Sequence, residues 1–241
     1  MNAATNLLTN FRYVTFDVVG TLIDFEGAIK DGLAYIAAKE GVELDGEEAL
    51  SIYREARYDP GAGLFPDDLG RCYSRISEKL SLPDTEEYRL HMIDMVGNAK
   101  PFPDSVAAMA ILKKHYKLIA MTNARRWAFE KYASKLGEPF WAAFTTDETG
   151  TEKPDPAFFH QVFAFVEKDG GSKDDILHTA QSQYHDIGIS RKLGMTNAWI
   201  ERRHAQTGYG GTIEPTEFTE PDYYFHALIE LAKATEEAFS E

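Results

Sequence analysis

A run of apolar and β-branched residues near the N-terminus ends on a single acid. In the stretch Arg12 to Phe25, RYVTFDVVGTLIDF, that acid is Asp17, and Gly20 follows where the chain can turn sharply. The pattern predicts a buried strand over residues 12–17. In open α/β sheets, ligands bind outside the carboxyl ends of strands. Asp17 is therefore either a helix cap or a reactive group, and the strand alone leaves both open.

Apolar residues then recur at helical spacing, and no convincing strand occurs from about residue 27 to residue 96. Ile29, Leu33 and Ile36, for example, share one helical face. Gly41 is suited to ending the first helix. The predicted helices cover residues 26–40, a segment capped by Asp45, and residues 66–80 and 84–96. Because this block directly follows the first strand, we expect it to cap the carboxyl end of that strand.

Strands and helices alternate in the rest of the chain, after a proline-rich boundary at residues 100–104. The predicted strands cover residues 117–122, 142–146, 176–180, 196–200 and 223–225. One predicted helix ends near residue 115, others cover 125–136, 156–168 and 185–193, and the last ends near residue 238. Residues 202–221 are predicted to form a long loop. This alternation is typical of βαβ units with a parallel sheet, so the sequence predicts an α/β fold.

Composition excludes several classes of function. The 241 residues carry a net charge of −14 at pH 7, and they contain no dense run of Lys and Arg. Because a nucleic-acid-binding surface normally needs a basic patch, we predict no nucleic-acid partner. No apolar run approaches the ~18 residues of a membrane span, so we also predict no membrane association.

Cysteine usage and the N-terminus favour a cytoplasmic protein. Cys72 is the one cysteine, so a disulfide within the chain is impossible, which fits a reducing compartment. A buried, unreactive thiol is the favoured interpretation of Cys72. The N-terminal sequence MNAATNLLTN has neither a basic segment nor a long apolar segment, so it is not predicted to be a secretory signal.

Polar residues follow the predicted strands at four places. Because the carboxyl ends of parallel strands lie on one edge of a sheet, we expect these side chains in one pocket. They are Asp17 and Thr21, Thr122 and Asn123, Lys153, and Asp186. Each has a simpler interpretation alone, as a local cap or as an exposed loop lysine. The joint pattern is more specific than any of its members.

The same four motifs resemble those of the haloacid dehalogenase superfamily. FDVVGTLID is similar to its first motif, MTN to its second, EKPDP to its third and QSQYHD to its fourth, in the same order over nearly the whole chain. The resemblance implies a Rossmann-like core formed by residues 1–26 and 97–241, with residues 27–96 inserted as an all-helical cap. It also implies that Asp17 is a nucleophile.

One position separates two branches of that superfamily. Members that transfer phosphoryl groups carry a second aspartate two residues after the nucleophile, where it acts as general acid and base beside Mg²⁺. Here that residue is Val19, which cannot donate a proton, whereas a phosphoryl group needs cations to stabilise its charge. The chain is instead similar to the 2-haloacid dehalogenase branch, type II. That similarity implies an enzyme that needs no metal or other cofactor.

The resemblance implies covalent chemistry on a small carboxylic acid that carries a leaving group at C2. Ionised Asp17 would attack C2, halide would leave, and water would hydrolyse the resulting ester. Lys153 would favour the charged form of Asp17, and Thr21 would donate a hydrogen bond to it. Asp186 would hold Lys153 and help to activate water.

The remaining candidates would surround the substrate. In the family, an arginine of the second cap helix supplies a cation. Arg54 occupies the matching place, and Arg57 is a nearby alternative. The other residues predicted to contact substrate or the departing anion are Thr122, Asn123, Val19, Phe25, Trp127 and Gln183. Arg54 could instead be exposed on its helix, and the aromatic residues could belong to the core.

The fourth motif departs from that of well-known dehalogenases, in which small polar residues precede the aspartate. Here the segment from Gln181 to His185 stands in their place, and Phe159 stands where a tyrosine is common. His185 is either a site residue or a helix-face residue. Asp17 could therefore open another carbon electrophile, as in azetidine-2-carboxylate hydrolases, which resemble this branch. A small-molecule phosphatase and a non-catalytic binding protein remain alternatives, and a homodimer is implied by resemblance alone.

Overall fold

The computed structural model describes residues 7–240 and contains a six-stranded sheet in the order β3-β2-β1-β4-β5-β6. The strands are β1 (Tyr13–Phe16), β2 (Lys117–Met121), β3 (Ala142–Phe144), β4 (Ile176–Ala180), β5 (Thr196–Ile200) and β6 (Tyr223–Phe225). Every neighbouring pair is parallel. The predicted α/β fold with a parallel sheet is therefore confirmed. Residues 1–6, part of the N-terminal segment discussed above, and residue 241 lie outside the described residues.

Helices cover both the insertion after β1 and the connections between the later strands. They are α1 (Phe25–Glu40), α2 (Gly46–Arg57), α3 (Leu69–Leu80), α4 (Glu86–Gly97), α5 (Ser105–Leu112), α6 (Arg126–Lys135), α7 (Thr146–Thr149), α8 (Pro156–Lys168), α9 (Gly188–Lys192) and α10 (Leu228–Ala238). Residues 202–221 contain no helix or strand, as predicted for a long loop.

β1 lies at the centre of the sheet and carries the first predicted site residue at its end. It pairs with β2 on one side and with β4 on the other. Val14 and Phe16 are fully buried in the core. Pairing continues through Asp17, whose N–H donates to the Thr179 carbonyl at 3.0 Å. The Asp17 carboxylate is therefore fixed at the carboxyl edge of the sheet.

Four helices, α1 to α4, follow β1 in sequence and pack mainly against one another. Gly41 ends α1 in the left-handed conformation, with a φ of 68°. The Asp45 carboxylate caps α2 by accepting a hydrogen bond from the Glu47 N–H at 2.8 Å. Both boundary predictions are confirmed.

Two other boundaries shift because local hydrogen bonds override the apolar pattern. The strand predicted over residues 142–146 ends at Phe144, since Thr145 caps α7. The helix predicted from residue 185 begins at Gly188, because a π-helical turn capped by Ser182 occupies Gln183–Ile187. Helices α3 and α5 are also shorter than predicted.

Cys72 is buried in α3, where burial raises the pKa of its thiol to about 12. The thiol form therefore predominates at neutral pH, in agreement with an unreactive cysteine. Over residues 7–240, no helix combines the length and the apolar character needed to cross a membrane.

Candidate active site

A cavity of about 440 Å³ opens between the carboxyl edge of the sheet and helices α1 and α2. Its volume lies within the range of ordinary ligand pockets, about 300–1,000 Å³. Asp17 provides a carboxylate from the end of β1. Val19, Phe25, Tyr53 and Phe65 provide apolar surface. The structure therefore places the predicted residues Asp17, Val19 and Phe25 around one cavity.

The Asp17 carboxylate is held by two hydrogen bonds. The Thr21 hydroxyl donates to Oδ2 at 2.6 Å, and the Lys153 ammonium donates to Oδ1 at 2.9 Å. The turn that returns Thr21 to Asp17 passes through Gly20, whose φ of +92° strongly favours glycine. Thr21 is itself fixed, because its Oγ1 accepts a hydrogen bond from the Gln181 N–H at 2.8 Å.

Lys153 joins two carboxylates in the interior. Its side chain is 1% exposed, and its Nζ lies 2.6 Å from Asp186 Oδ1 in addition to its contact with Asp17. Asn123 fixes the loop that carries the lysine: its Oδ1 accepts from the Lys153 N–H at 2.8 Å, and its Nδ2 donates to the Lys153 carbonyl at 2.9 Å. Asn123 lines the cavity, but its amide positions Lys153.

Burial and charge act in opposite directions on these three groups. Burial raises the pKa of Asp17 above its usual range, although the Lys153 ammonium favours the carboxylate. Burial also acts to raise the pKa of Asp186, but Lys153 and His178 outweigh it and lower the value to about 2. Burial acts to lower the pKa of Lys153, but the two carboxylates raise it above its usual range. Asp186 and Lys153 are therefore charged at neutral pH, and Asp17 is the acid that protonates first.

His178 is a site residue that the sequence interpretation missed. It lies within β4, fully buried, with Nε2 3.1 Å from Asp186 Oδ1 and Nδ1 2.8 Å from the Thr15 hydroxyl. A hydrogen-bonded chain thus runs from Thr15 on β1 through His178 to Asp186 and Lys153. The signal in the sequence is a histidine within an otherwise apolar strand, ILHTA.

His178→Leu is expected to lower the free energy of unfolding by about 1–3 kcal/mol, because the Thr15 hydroxyl and Asp186 each lose a buried partner. Urea unfolding measures the change. His160→Leu, at an exposed position on α8, is the matched control. Equal stability of the two variants would contradict the structural role assigned to His178.

The fourth motif separates into residues that line the cavity and one that does not. Gln181, Ser182 and His185 line it. Ser182 Oγ lies 3.0 Å from His185 Nδ1, and burial lowers the pKa of His185 to about 4, so its imidazole is neutral at neutral pH. Gln183 lies on the other side of the turn, where its Oε1 accepts from the Thr219 N–H at 3.1 Å. Gln183, which was predicted to contact substrate, is therefore not among the residues that line the cavity, whereas Gln181 is.

Arg54 and Arg57 lie one turn apart on α2, and of the two Arg57 lines the cavity. Its Nη1 donates to Asp68 Oδ2 at 2.5 Å and to the Gly63 carbonyl at 2.8 Å. Arg54 points elsewhere, because its Nη1 donates to the Gly210 carbonyl at 2.6 Å and so ties α2 to the long loop. The structure corrects the placement of Arg54 and favours the alternative, Arg57.

Two further residues predicted to contact substrate are held away from the cavity by local partners. Thr122 is fully buried, and its hydroxyl accepts a hydrogen bond from the Ala124 N–H at 3.2 Å. Trp127 donates from Nε1 to Asp67 Oδ1 at 2.9 Å near the surface. The structure therefore places neither Thr122 nor Trp127 in the cavity wall.

The residues of the cavity fit a magnesium ion poorly. Magnesium in proteins is bound octahedrally by carboxylate oxygens, water and substrate phosphates. Val19 removes one carboxylate that the first motif could have supplied. The Lys153 ammonium contacts Oδ1 of both Asp17 and Asp186, so each of these two carboxylates already has a cation beside it.

Solved structures with the same fold include several described as dehalogenases. The L-2-haloacid dehalogenase PA0810 is 20% identical, with a TM-score of 0.75 over 94% of this chain and 99% of the other. The L-2-haloacid dehalogenase from Xanthobacter autotrophicus is 18% identical, with a TM-score of 0.73 over 94% and 98%. YfnB from Bacillus subtilis, in a structure bound to magnesium, is 18% identical, with a TM-score of 0.74 over 94% and 99%. At such identities the likeness concerns the fold alone.

Comparison by sequence places the chain in a family. No curated protein matches it significantly. The model of the haloacid dehalogenase-like hydrolases, however, matches residues 11–173, which is more than half of the chain and includes three of the four motifs. Together with the shared fold, this match shows that the chain belongs to the haloacid dehalogenase-like hydrolase family.

Proposed function

We propose that this protein hydrolyses a 2-substituted carboxylic acid by attack of Asp17 on the α-carbon, and that the substrate is a 2-haloacid. The observation that carries the proposal is the pairing of Asp17 with Val19 in the cavity wall. Two hydrogen bonds orient the Asp17 carboxylate, and this carboxylate faces an apolar surface. A phosphatase would present a second acid at that place. That environment suits a carbon electrophile better than a phosphoryl group, whose charge needs cations.

In the first step of the proposed reaction, a carboxylate oxygen of Asp17 attacks C2. The carbon–halogen bond breaks, halide leaves with the bonding electron pair, and an ester joins Asp17 to the substrate. Thr21 and Lys153 orient the nucleophile through their hydrogen bonds at 2.6 and 2.9 Å. Val19 and Phe25 limit the access of water, which would otherwise solvate the carboxylate and weaken it as a nucleophile.

In the second step, water attacks Cγ of the ester, and the bond between Cγ and the substrate oxygen breaks. The departing alkoxide takes up one of the two protons of the water, so the 2-hydroxy acid leaves and the Asp17 carboxylate is restored. We assign to Asp186 the role of orienting this water and accepting its other proton, which then passes to solvent. Its Oδ1 is engaged by Lys153 and His178, whereas Oδ2 has no hydrogen-bond partner within residues 7–240. Oδ2 is therefore the oxygen assigned to the water.

Helices α1 to α4 act in this proposal as the cap, and Arg57 supplies the cation for the substrate carboxylate. Arg57 is the last residue of α2 and lines the cavity. The cavity of about 440 Å³ leaves room for a substrate longer than chloropropionate. We therefore expect longer 2-haloacids to be accepted as well.

Arg57→Met is expected to raise KM for a 2-haloacid by about 10–100-fold, because a hydrogen bond to a charged group contributes about 1.5–3 kcal/mol. Arg54→Met removes the same charge one turn away, but that guanidinium binds the Gly210 carbonyl, so we expect a much smaller change in KM. Steady-state kinetics on both variants measure the difference. A larger KM effect at Arg54 would reverse the assignment.

Halide release tests the proposed function directly. The protein is incubated with 2-chloropropionate, 2-bromohexanoate and fluoroacetate, with and without a chelator, and free halide is measured. We expect release that the chelator does not change. No release from any of the acids would reject the halide assignment. In parallel, ring opening of azetidine-2-carboxylate would indicate the same chemistry on another carbon, and magnesium-dependent hydrolysis of p-nitrophenyl phosphate would favour a phosphatase.

A further inference from the structure

A second group of side chains that are typical metal ligands lies outside the cavity, where β5 and β6 end. It consists of Glu201, His204 and His226, which we call the edge triad. One ligand atom from each residue lies within 4.8 Å of those of the other two. Backbone pairing holds the triad together, because the Glu201 N–H donates to the Phe225 carbonyl at 2.8 Å and so places Glu201 beside the residue that follows β6.

The spacing within the edge triad is close to that of a coordination shell. His204 Nδ1 lies 3.1 Å from Glu201 Oε2, and the His204 N–H donates to the Glu201 carbonyl at 3.0 Å, which closes a tight turn. The rings of His204 and His226 stack with their centroids 3.5 Å apart. Two ligands bound to tetrahedral zinc at about 2.0–2.1 Å lie roughly 3.4 Å apart. Binding of one ion therefore requires the two imidazole rings to rotate out of their stacked arrangement, so that their ring nitrogens and the Glu201 carboxylate converge.

The surroundings of the edge triad orient its ligands and add negative charge. The Tyr224 hydroxyl contacts the Glu201 carboxylate and lies 2.9 Å from His226 Nε2. The Glu230 carboxylate accepts a hydrogen bond from the backbone N–H of His226 at 2.9 Å. Of these two partners, the Tyr224 hydroxyl is of the kind that fixes the orientation of metal ligands. A second carboxylate beside the triad also favours a divalent cation.

The two arginines between Glu201 and His204 do not oppose a cation, because both are directed elsewhere. Arg202 Nη1 donates to Asp104 Oδ1 at 2.8 Å, and Arg203 Nη1 donates to Glu26 Oε2 at 2.5 Å. Their charges are paired with acids outside the triad.

We propose that the edge triad binds one Zn²⁺ ion. Two imidazoles and a carboxylate form a donor set typical of zinc with three protein ligands, whereas Mg²⁺ and Ca²⁺ prefer shells made of oxygen alone. The ion would lock the turn that carries Arg202. Arg202 Nε donates to the Thr21 carbonyl at 2.9 Å, so zinc would stiffen a support of the Asp17 loop. The site does not depend on the proposed reaction.

Calorimetric titration of the metal-free protein with zinc chloride tests this proposal. We expect one zinc per chain, and an increase in Tm of about 5–10 °C at a free zinc concentration of 100 times Kd. Magnesium chloride should give neither effect. The variant with His204→Asn and His226→Asn should lose more than the roughly 10–100-fold in zinc affinity that is typical when only a hydrogen-bonding partner of a ligand is removed. Both histidines are exposed, so this variant is expected to fold.

A matched variant with His115→Asn and His160→Asn controls for zinc binding by other histidines and should keep the affinity of the wild-type protein. The absence of zinc uptake by the wild-type protein would overturn the proposal. So would an equal loss of affinity in the two double variants, because binding would then not reside in the edge triad.

Discussion

Asp17→Asn is expected to reduce halide release by about 10⁴-fold or more, the order of loss seen when a covalent nucleophile is removed. The amide cannot attack C2 as a carboxylate does, whereas the other polar contacts of the cavity remain. Initial rates of halide release from a saturating 2-haloacid measure the effect. Because burial raises the pKa of Asp17, the ionised carboxylate is costly to bury, so the neutral amide should not prevent folding.

Asp174→Asn is the matched control, since it makes the same chemical change at an exposed position outside the cavity. It should retain the activity of the wild-type protein. A circular dichroism spectrum confirms that each variant is folded. If folded Asp17→Asn retained more than about 1% of the wild-type activity, Asp17 would not be the nucleophile.

Lys153→Met is expected to lower the free energy of unfolding by about 3–5 kcal/mol and to abolish halide release. The substitution leaves Asp17 and Asp186 as two buried carboxyl groups without their shared cation, and a buried charge without a partner is strongly destabilising. The pKa of Asp17 should rise further, so that less of the nucleophile is ionised. Urea unfolding and halide release measure the two effects. Lys192→Met, at an exposed position on α9, is the control.

The loss of stability in Lys153→Met should depend on pH in a defined direction. The pKa of Lys153 is raised by folding, so its contribution is complete below the ordinary lysine value of about 10.4 and is lost as pH rises through the raised pKa. The pKa of Asp186 is lowered to about 2, so its contribution is complete above the ordinary value of about 3.9 and is lost as pH falls toward 2. The difference in free energy of unfolding between the wild-type protein and Lys153→Met should therefore be largest near neutral pH. A difference near pH 3 as large as that near neutral pH would contradict this expectation.

The topology and the four polar residues at its centre follow from local patterns. Asp17, Lys153 and Asp186 could be placed together because each follows a predicted strand, and parallel strands bring their carboxyl ends to one edge. These inferences need only the order of strands and helices along the chain and the usual right-handed connection between parallel strands. The hydrogen bond from Thr21 to Asp17 was implied by the resemblance to the haloacid dehalogenase superfamily.

Residues whose placement depends on the rotation of a helix could not be assigned in the same way. Arg54 and Arg57 are three residues apart on α2, and the packing of that helix decides which of them enters the cavity. Gln181 lines the cavity, whereas Gln183 lies in a π-helical turn that the apolar pattern did not predict and is turned away from the cavity. His178 was missed because its partner Thr15 becomes its neighbour only when β1 pairs with β4.

A single turnover in heavy-oxygen water tests whether Asp17 forms an ester that water then hydrolyses at the aspartate. Enzyme in excess is mixed with a 2-haloacid, and both the Asp17 peptide and the product are analysed by mass spectrometry. We expect heavy oxygen in the Asp17 carboxylate and none in the hydroxyl of the product. Heavy oxygen in the product hydroxyl, with Asp17 unlabelled, would show direct attack of water on C2 and would contradict this expectation.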